Sequence, residues 1–233
     1  MPDFVVTIDG PAGAGKSTVA RVLARQLGVA FMDTGAMYRA LTLKALRQGV
    51  DLKDAQALTA LAGMSVIDLV NEPGQQLKVL LDGEDVSEAI RSLDVTNNTF
   101  YAARTPEVRH IMVEWQRVLG ARRSLVGDGR DLGTVVFPQA KYKFYLDADF
   151  DVRCQRRIDE LKAKGQAVDE KALREDLAAR DHRDMTRAVG PLRRADDALL
   201  IDSTHMNIDQ VVEALYRRIT GKQEADRSPA GRV

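Results

Sequence analysis

An α/β fold around a central parallel sheet is predicted by three features of the sequence. Short apolar runs of buried-strand type alternate with stretches of helical spacing in the first fifty residues; glycines stand where those helices should stop; and a β-rich stretch and two charge-rich helices interrupt the alternation later on. At 233 residues the chain is long enough to bury a substantial interior.

Phe4 to Ile8 (FVVTI) reads as a first strand, and Lys16 to Leu27 as a helix with apolar residues at Val19, Ala20, Leu23, Ala24 and Leu27, ended by Gly28. Val29 to Met32 is a second short strand and Ala36 to Gln48 a second helix closed by Gly49. From about Ser65 the texture changes: SVIDLV and LKVLLDGEDV are β-rich, NEPGQ between them forms turns, and Asp82-Gly83 is a hairpin signal, which together predict a small antiparallel insert. Thr105 as N-cap, Pro106 at the first position and Glu107 near the positive end open a helix from Pro106 to Leu119. Its stripe of Val108, Ile111, Met112, Trp115, Val118 and Leu119 belongs in the core, and Arg109 stands off that stripe, available for other work. Ser124 to Val126, Tyr142 to Leu146 and Ala198 to Ile201 supply further strands. Phe150 to Lys164 and Glu170 to Asp184 are polar helices with little to bury, expected to form a mobile excursion. Ile208, Val211, Val212, Leu215 and Ile219 mark a closing amphipathic helix, and the polar end, EADRSPAGRV, is expected to be a disordered tail.

Thirty-four basic residues cancel thirty-four acidic ones, so no overall field recruits nucleic acid or an anionic membrane, and neither is expected as a partner. The start of the chain lacks a charged segment followed by an apolar one, and no stretch has the apolar length of a membrane span, so a cytoplasmic protein is expected; a monomer is expected as well. One cysteine, Cys154, has no companion for a disulfide or a metal and reads as a half-buried helix residue. His110, His182 and His205 have no partner at metal spacing.

The densest chemical signal is IDGPAGAGKST, residues 8 to 18. Gly10, Gly15, Lys16 and Ser17 satisfy G-x-x-x-x-G-K-[ST] between a strand and a helix, the context in which the pattern forms a phosphate-binding loop, the P-loop. Glycines let the backbone wrap an anion, the helix adds unpaired N–H groups and the positive end of its dipole, Lys16 reaches the terminal phosphates and the Ser17 hydroxyl ligates Mg²⁺. The loop from Gly10 through Pro11, Ala12, Gly13, Ala14 and Gly15 to Lys16, Ser17 and Thr18 is therefore the site of a nucleoside triphosphate with its Mg²⁺.

The γ-phosphoryl then goes either to water or to a second substrate, and a second anion site distinguishes the two. Three stretches carry arginines: DTGAMYR (33 to 39) with Arg39 one turn into the second helix, GDGRDLGTVVFP (127 to 138) with Asp128, Arg130 and Asp131, and RDHRDMTR (180 to 187). Arginine grips a phosphate with two parallel hydrogen bonds, and Asp128 at a strand end is placed to serve the metal. A hydroxyl acceptor would need a base, for which Asp33 is the candidate, whereas a monophosphate is already anionic and needs cations. A switch or motor would call for a guanine-reading NKxD-like element, which the sequence does not contain.

GPAGAGKST, DTGAMYR, GDGRDLGTVVFP, the LDA at 146 to 148 ahead of RCQRR, RDHRDMTRAVGPL and LIDST together resemble the bacterial cytidylate kinase family of P-loop nucleoside monophosphate kinases, from about Val5 to Ile219. The resemblance implies the P-loop NTPase three-layer fold with an inserted NMP-binding domain and a helical lid, and transfer of phosphoryl from ATP to CMP or dCMP with Mg²⁺. Residues 1–35, 105–150 and 191–222 would be the core, 36–104 the NMP-binding region, 151–190 the lid and 223–233 the tail. By the family's pattern Arg39, Arg130 and Arg187 would grip the acceptor phosphate, Arg109 and Asp131 would face the cytosine, Arg180 and Asp184 the ribose hydroxyls, and Thr34 would line the pocket. Arg153 and Arg157 in the lid would swing toward the transferring group, joining Lys16, Arg130 and Arg187 as the catalytic set. Where the family often has a small hydroxyl residue touching the base, this chain has Phe100, with Thr99 beside it.

Overall fold

A computed structural model describes residues 4–70, 77–163 and 165–221. At its centre β1 (Val5–Asp9) pairs in parallel with β6 (Leu125–Gly129) on one side and β7 (Tyr142–Asp147) on the other. β2 (Ala30–Asp33) extends the sheet beyond β6 and β8 (Leu199–Asp202) beyond β7, giving the all-parallel order β2-β6-β1-β7-β8. Parallel strands need cover on both faces, and alternate residues supply it. Val6, Ile8, Phe31, Val126, Phe144 and Leu146 face α1 (Lys16–Leu27) and α8 (Ile208–Thr220); Met32 and Leu125 face α2 (Thr34–Arg47) and α5 (Pro106–Arg122). The α/β prediction holds, and the strand boundaries run one to three residues beyond the apolar runs because the strand ends are polar, at Asp9, Asp33 and Gly129.

Between β2 and β6 lies the insert. Two of its helices, α3 (Ala55–Gly63) and α4 (Leu93–Arg104), escaped the sequence reading. α3 is short and capped by Asp54, whose side chain accepts from the N–H groups of Gln56 and Ala57; α4 is rich in Asn and β-branched residues, poor helix formers held by packing against α2. The antiparallel sheet β3 (Ile67–Val70), β4 (Lys78–Leu81), β5 (Glu84–Asp85) forms where the β-rich stretch predicted it, turning at Asp82 and Gly83 with φ of 51° and 87°. The NEPGQ turn, Lys164 and the tail lie outside the described residues.

The excursion, α6 (Phe150–Ala163) and α7 (Glu170–Thr186), corrects the expectation that it has little to bury. Cys154, fully buried rather than half-buried, packs with Leu177 and Phe150 against Ala12 of the phosphate loop, and Ile158 is 2% exposed. On α5, Val118 is 47% exposed and so falls outside the predicted core, while Arg109, expected to stand free, is 2% exposed. Pro106, Glu107, His110 and Glu114 form the solvent face of the first half of α5, and Arg109 lies on the opposite, buried side with Val108, Met112 and Val113.

Candidate active site

Gly10, the first residue after β1, has φ 150°, and a Cβ there would lie 2.0 Å from the carbonyl oxygen of Leu146. Only glycine lets the chain leave the sheet so close to β7. Gly15, with φ 88°, caps α1 without a side chain, leaving the first-turn N–H groups of that helix open toward the loop. Lys16 is buried, its ammonium donating to Pro11 O at 2.6 Å, and burial together with the repulsion of Arg130 holds its pKa well below the usual lysine value. A cation held so reluctantly gains when an anion arrives.

Ser17 and Asp128 meet as the sequence placed them. Ser17 Oγ donates to Asp128 Oδ2 at 2.5 Å, and the other carboxylate oxygen, Oδ1, is buried with no hydrogen-bond partner. Burial first, and then the charge of Asp33 on the neighbouring strand, push the Asp128 carboxyl up to about 6. A divalent cation fits these residues: an orphaned carboxylate oxygen beside a hydroxyl, with the triphosphate oxygens as the remaining donors. No cluster of three or more His, Cys, Asp or Glu among the described residues offers an all-protein metal cage.

Around this pair the arginines converge. Arg130 Nε donates to Asp184 Oδ2 at 2.7 Å, tying the loop after β6 to α7. Arg187 donates to Gly190 O at 2.5 Å and lies 3.5 Å from Asp131 and 3.8 Å from Asp184. Arg109 pairs with Asp131, donates to Ala103 O at 3.2 Å and stacks over the Tyr38 ring, whose hydroxyl burial pushes up to about 12. Arg39 pairs with Asp33 at 3.0 Å, and Thr34 Oγ1 donates to Asp128 O at 2.8 Å. Arg180 opens onto the cleft yet is hemmed in by protein, and that desolvation, with the charge of Arg130 next, lowers its pKa to about 10. Arg187 is likewise lowered, by burial and then by Arg109. Lys16, Arg180 and Arg187 are thus cations whose charge the unliganded protein disfavours, the electrostatic signature of a site for polyanions.

The structure places the two lid arginines differently from each other. Arg153 does not stand ready to swing: it is 8% exposed and donates to Ala148 O at 3.1 Å, to Ala12 O at 2.9 Å and to Asp181 at 2.5 Å. Arg157, one turn on, is half-exposed, pairs with Glu160 at 2.6 Å and is near enough to Arg180 to repel its charge. Phe100 lies on α4, its ring 4.0 Å from that of Tyr101, with the guanidinium of Arg183 from α7 at 5.2 Å; the Thr99 hydroxyl donates to Val95 O at 2.6 Å. Asp33, the candidate base, has both oxygens engaged, by the Ala36 N–H at 2.8 Å and by Arg39.

Three residues at the site were missed. Asp181 accepts from the Ala12 N–H at 3.0 Å as well as from Arg153; it stood inside RDHRDMTR, but its role depends on a fold contact with the loop 169 positions away. Gly190 has φ 59°, and a Cβ on it would lie 2.2 Å from Asp131 Oδ2. Asp9 is buried and accepts two backbone N–H bonds. A carboxylate ending an apolar strand next to a phosphate loop was the one legible signal for it.

Sequence and structure comparisons agree with this geometry. The family model described as Cytidylate kinase matches residues 6–221. A cytidylate kinase of Pelotomaculum thermopropionicum is 46% identical over 220 residues, covering 94% of this chain and 97% of that protein; one from Desulforamulus reducens is 49% identical over 210 residues, covering 90% and 94%. Among solved structures, an uncharacterized protein from Eubacterium ventriosum superposes with a TM-score of 0.51 at 13% identity over 94% of this chain and 99% of that one, a likeness of fold alone. With a phosphate loop facing a basket of arginines and a family match that spans almost every described residue, the chain belongs to the cytidylate kinase family.

Proposed function

We infer that the chain transfers the γ-phosphoryl of ATP to CMP or dCMP, giving ADP and CDP or dCDP. The observation that carries this reading is the cluster of cations whose charge is disfavoured in the free protein, Lys16 on the donor side and Arg180 and Arg187 on the acceptor side. Two polyanions repel one another, and cations between them offset that repulsion and hold them in line.

In this reading the loop from Gly10 to Thr18 holds the ATP phosphates, and Ser17 with Asp128 holds Mg²⁺, which when bound offsets charge on the triphosphate oxygens. An oxygen of the CMP phosphate forms the new bond to the γ-phosphorus as the bond from that phosphorus to the β,γ-bridging oxygen breaks, and ADP leaves. Arg39, Arg130 and Arg187 grip the acceptor phosphate; Arg109 and Asp131 face the base; Arg180 and Asp184 address the ribose; Thr34 lines the pocket. Arg157 moves in from the lid, while Arg153 holds the loop itself. Residues 36–104 act as the acceptor-binding region and 151–190 as the lid on the core, in a monomer working in the cytoplasm on small molecules. No helix among the described residues is long and apolar enough to cross a membrane.

A hydroxyl acceptor is disfavoured because Asp33 is occupied by Ala36 and Arg39. The test supplies purified protein and MgATP with CMP, dCMP, UMP, AMP and a shikimate-like alcohol in turn, and measures ADP. Turnover with CMP or dCMP supports the reading; equal ADP release without any acceptor overturns it.

A further inference from the structure

Asp9 closes β1 and immediately precedes Gly10, so it is the root of the donor loop. The parallel ladder between β1 and β6 ends at the pair Asp9 and Gly129; past that point Arg130 and Asp131 leave the sheet with no backbone rung beneath them. The Asp9 side chain takes over where the ladder stops. Its Oδ1 accepts from the Leu132 N–H at 2.9 Å and its Oδ2 from the Gly133 N–H at 2.7 Å. These two amides open a single π-helical turn, Leu132–Val136, directly downstream of the arginine and aspartate assigned above to the acceptor. Carboxylates accepting backbone N–H groups make strong, directional bonds, and here both oxygens are committed.

The approach of that turn to β1 is close. Gly133 sits over the face of β1 that carries Thr7 and Asp9, and a Cβ on it would lie 3.1 Å from Thr7 Oγ1 and 3.4 Å from Asp9 Oδ2. Asp9 is 5% exposed, and burial pushes its carboxyl up to about 6 in spite of the two amides. A charge kept in such a place, where an apolar contact could have closed the gap, sits between the segment that holds the donor and the segment that holds the acceptor.

We propose that Asp9 is a positioning residue for transfer: touching neither nucleotide, it sets the separation between the phosphate loop and the Arg130–Asp131 segment. The proposal rests on the functional reading above. Transfer in line is sensitive to this separation, since a misplacement of about 1 Å costs on the order of a hundredfold in rate.

Two variants approach the same contact from opposite sides. Asp9→Asn keeps one acceptor oxygen but turns an NH₂ toward the second amide; Gly133→Ala leaves the carboxylate intact and pushes the turn outward by a few tenths of an ångström. Steady-state kinetics with ATP and CMP, calorimetric titration of CMP and thermal melting are measured on both and on the wild type. The expected result is a kcat lowered roughly ten- to a hundredfold in Asp9→Asn and by a smaller factor in Gly133→Ala, with KM for either nucleotide and the CMP Kd changed less than about threefold. A residue that only stabilised the fold would lower the melting temperature and leave kcat per folded molecule unchanged. Folded Asp9→Asn with wild-type kcat overturns the proposal, as does a kcat loss matched by an equal loss of CMP affinity. If Asp9→Asn does not fold, Gly133→Ala with wild-type kcat overturns it. A wild type inactive on CMP overturns the functional reading, and this inference with it.

Discussion

Ser17 and Asp128, 111 residues apart in sequence, share a 2.5 Å hydrogen bond that joins the first turn of α1 to the end of β6 and leaves Asp128 Oδ1 buried without a partner. The free protein therefore holds a carboxylate poised for a cation, at a cost. In the unfolded chain Asp128 titrates near 3.8, in the folded one near 6. Between those values the folded state keeps a proton that the unfolded state has released, so stability falls as pH rises through the window. By neutral pH the penalty is complete, on the order of 3 kcal/mol. Asp128→Asn removes it: differential scanning of unliganded protein should show the variant melting higher than wild type at about pH 7.5, with the gap closing toward about pH 4. If Asp128 serves the cation as proposed, the same variant should lose about a hundredfold or more in kcat. An unliganded variant that melts lower than wild type at neutral pH would contradict the electrostatic account.

Arg130 and Arg187 tie the loop after β6 to the end of α7, through Asp184 and Asp131, so removing either leaves one of those carboxylates less compensated and, in the proposed roles, loses a charge-assisted contact to the acceptor. Arg130→Ala and Arg187→Ala should each slow transfer ten- to a hundredfold or more, from about 1.5 to 3 kcal/mol of transition-state stabilisation. Wild-type turnover in both would remove them from the site.

Gly190→Ala tests the side assigned to the acceptor alone. The left-handed φ of 59° and the 2.2 Å approach of a new Cβ to Asp131 force Asp131 and Arg109 apart. The expected effect is a KM for CMP raised about tenfold or more, with KM for ATP nearly unchanged. Equal shifts in both constants would mean that the two sides are not separable.

Arg153 and Arg157 should part company. Arg153→Ala strands Asp181 in a buried site and frees Ala12 O, so the melting temperature should drop with a loss of about 3 kcal/mol or more, and KM for ATP should rise. Arg157→Ala gives up an exposed pair and should leave melting within about 0.5 kcal/mol of wild type while lowering kcat. Identical profiles for the two variants would return Arg153 to a moving role.

Much of the site was legible because it is local. The phosphate loop needs glycines at fixed offsets, and Lys16 and Ser17 follow from the start of α1 whatever the rest of the chain does. Arg130 and Asp131 stood out because they follow Asp128 at once, at the end of a strand, within GDGRDLGTVVFP. α3 and α4 were not legible: one is short, and the other is built from residues with weak helix propensity and is held by packing against α2. The lid helices were misjudged because the surface they bury belongs to Ala12, whose place beside Cys154 and Leu177 no helical period reveals.

The order of residues along the chain determined the parallel sheet, the phosphate loop and the arginine- and aspartate-bearing stretches of the cleft, since each is set by spacing within a few residues of one strand or helix. Pairing was settled only in three dimensions: which aspartate restrains which arginine, that Arg153 grips the loop while Arg157 remains half-exposed, and that Asp9 reaches across to Leu132 and Gly133. The reason is that a buried charge is tolerable only beside its counter-group, and those counter-groups come from other elements, Asp131 lying 22 positions from Arg109, Asp181 28 from Arg153 and Asp184 54 from Arg130, brought together when the apolar faces of the sheet are covered.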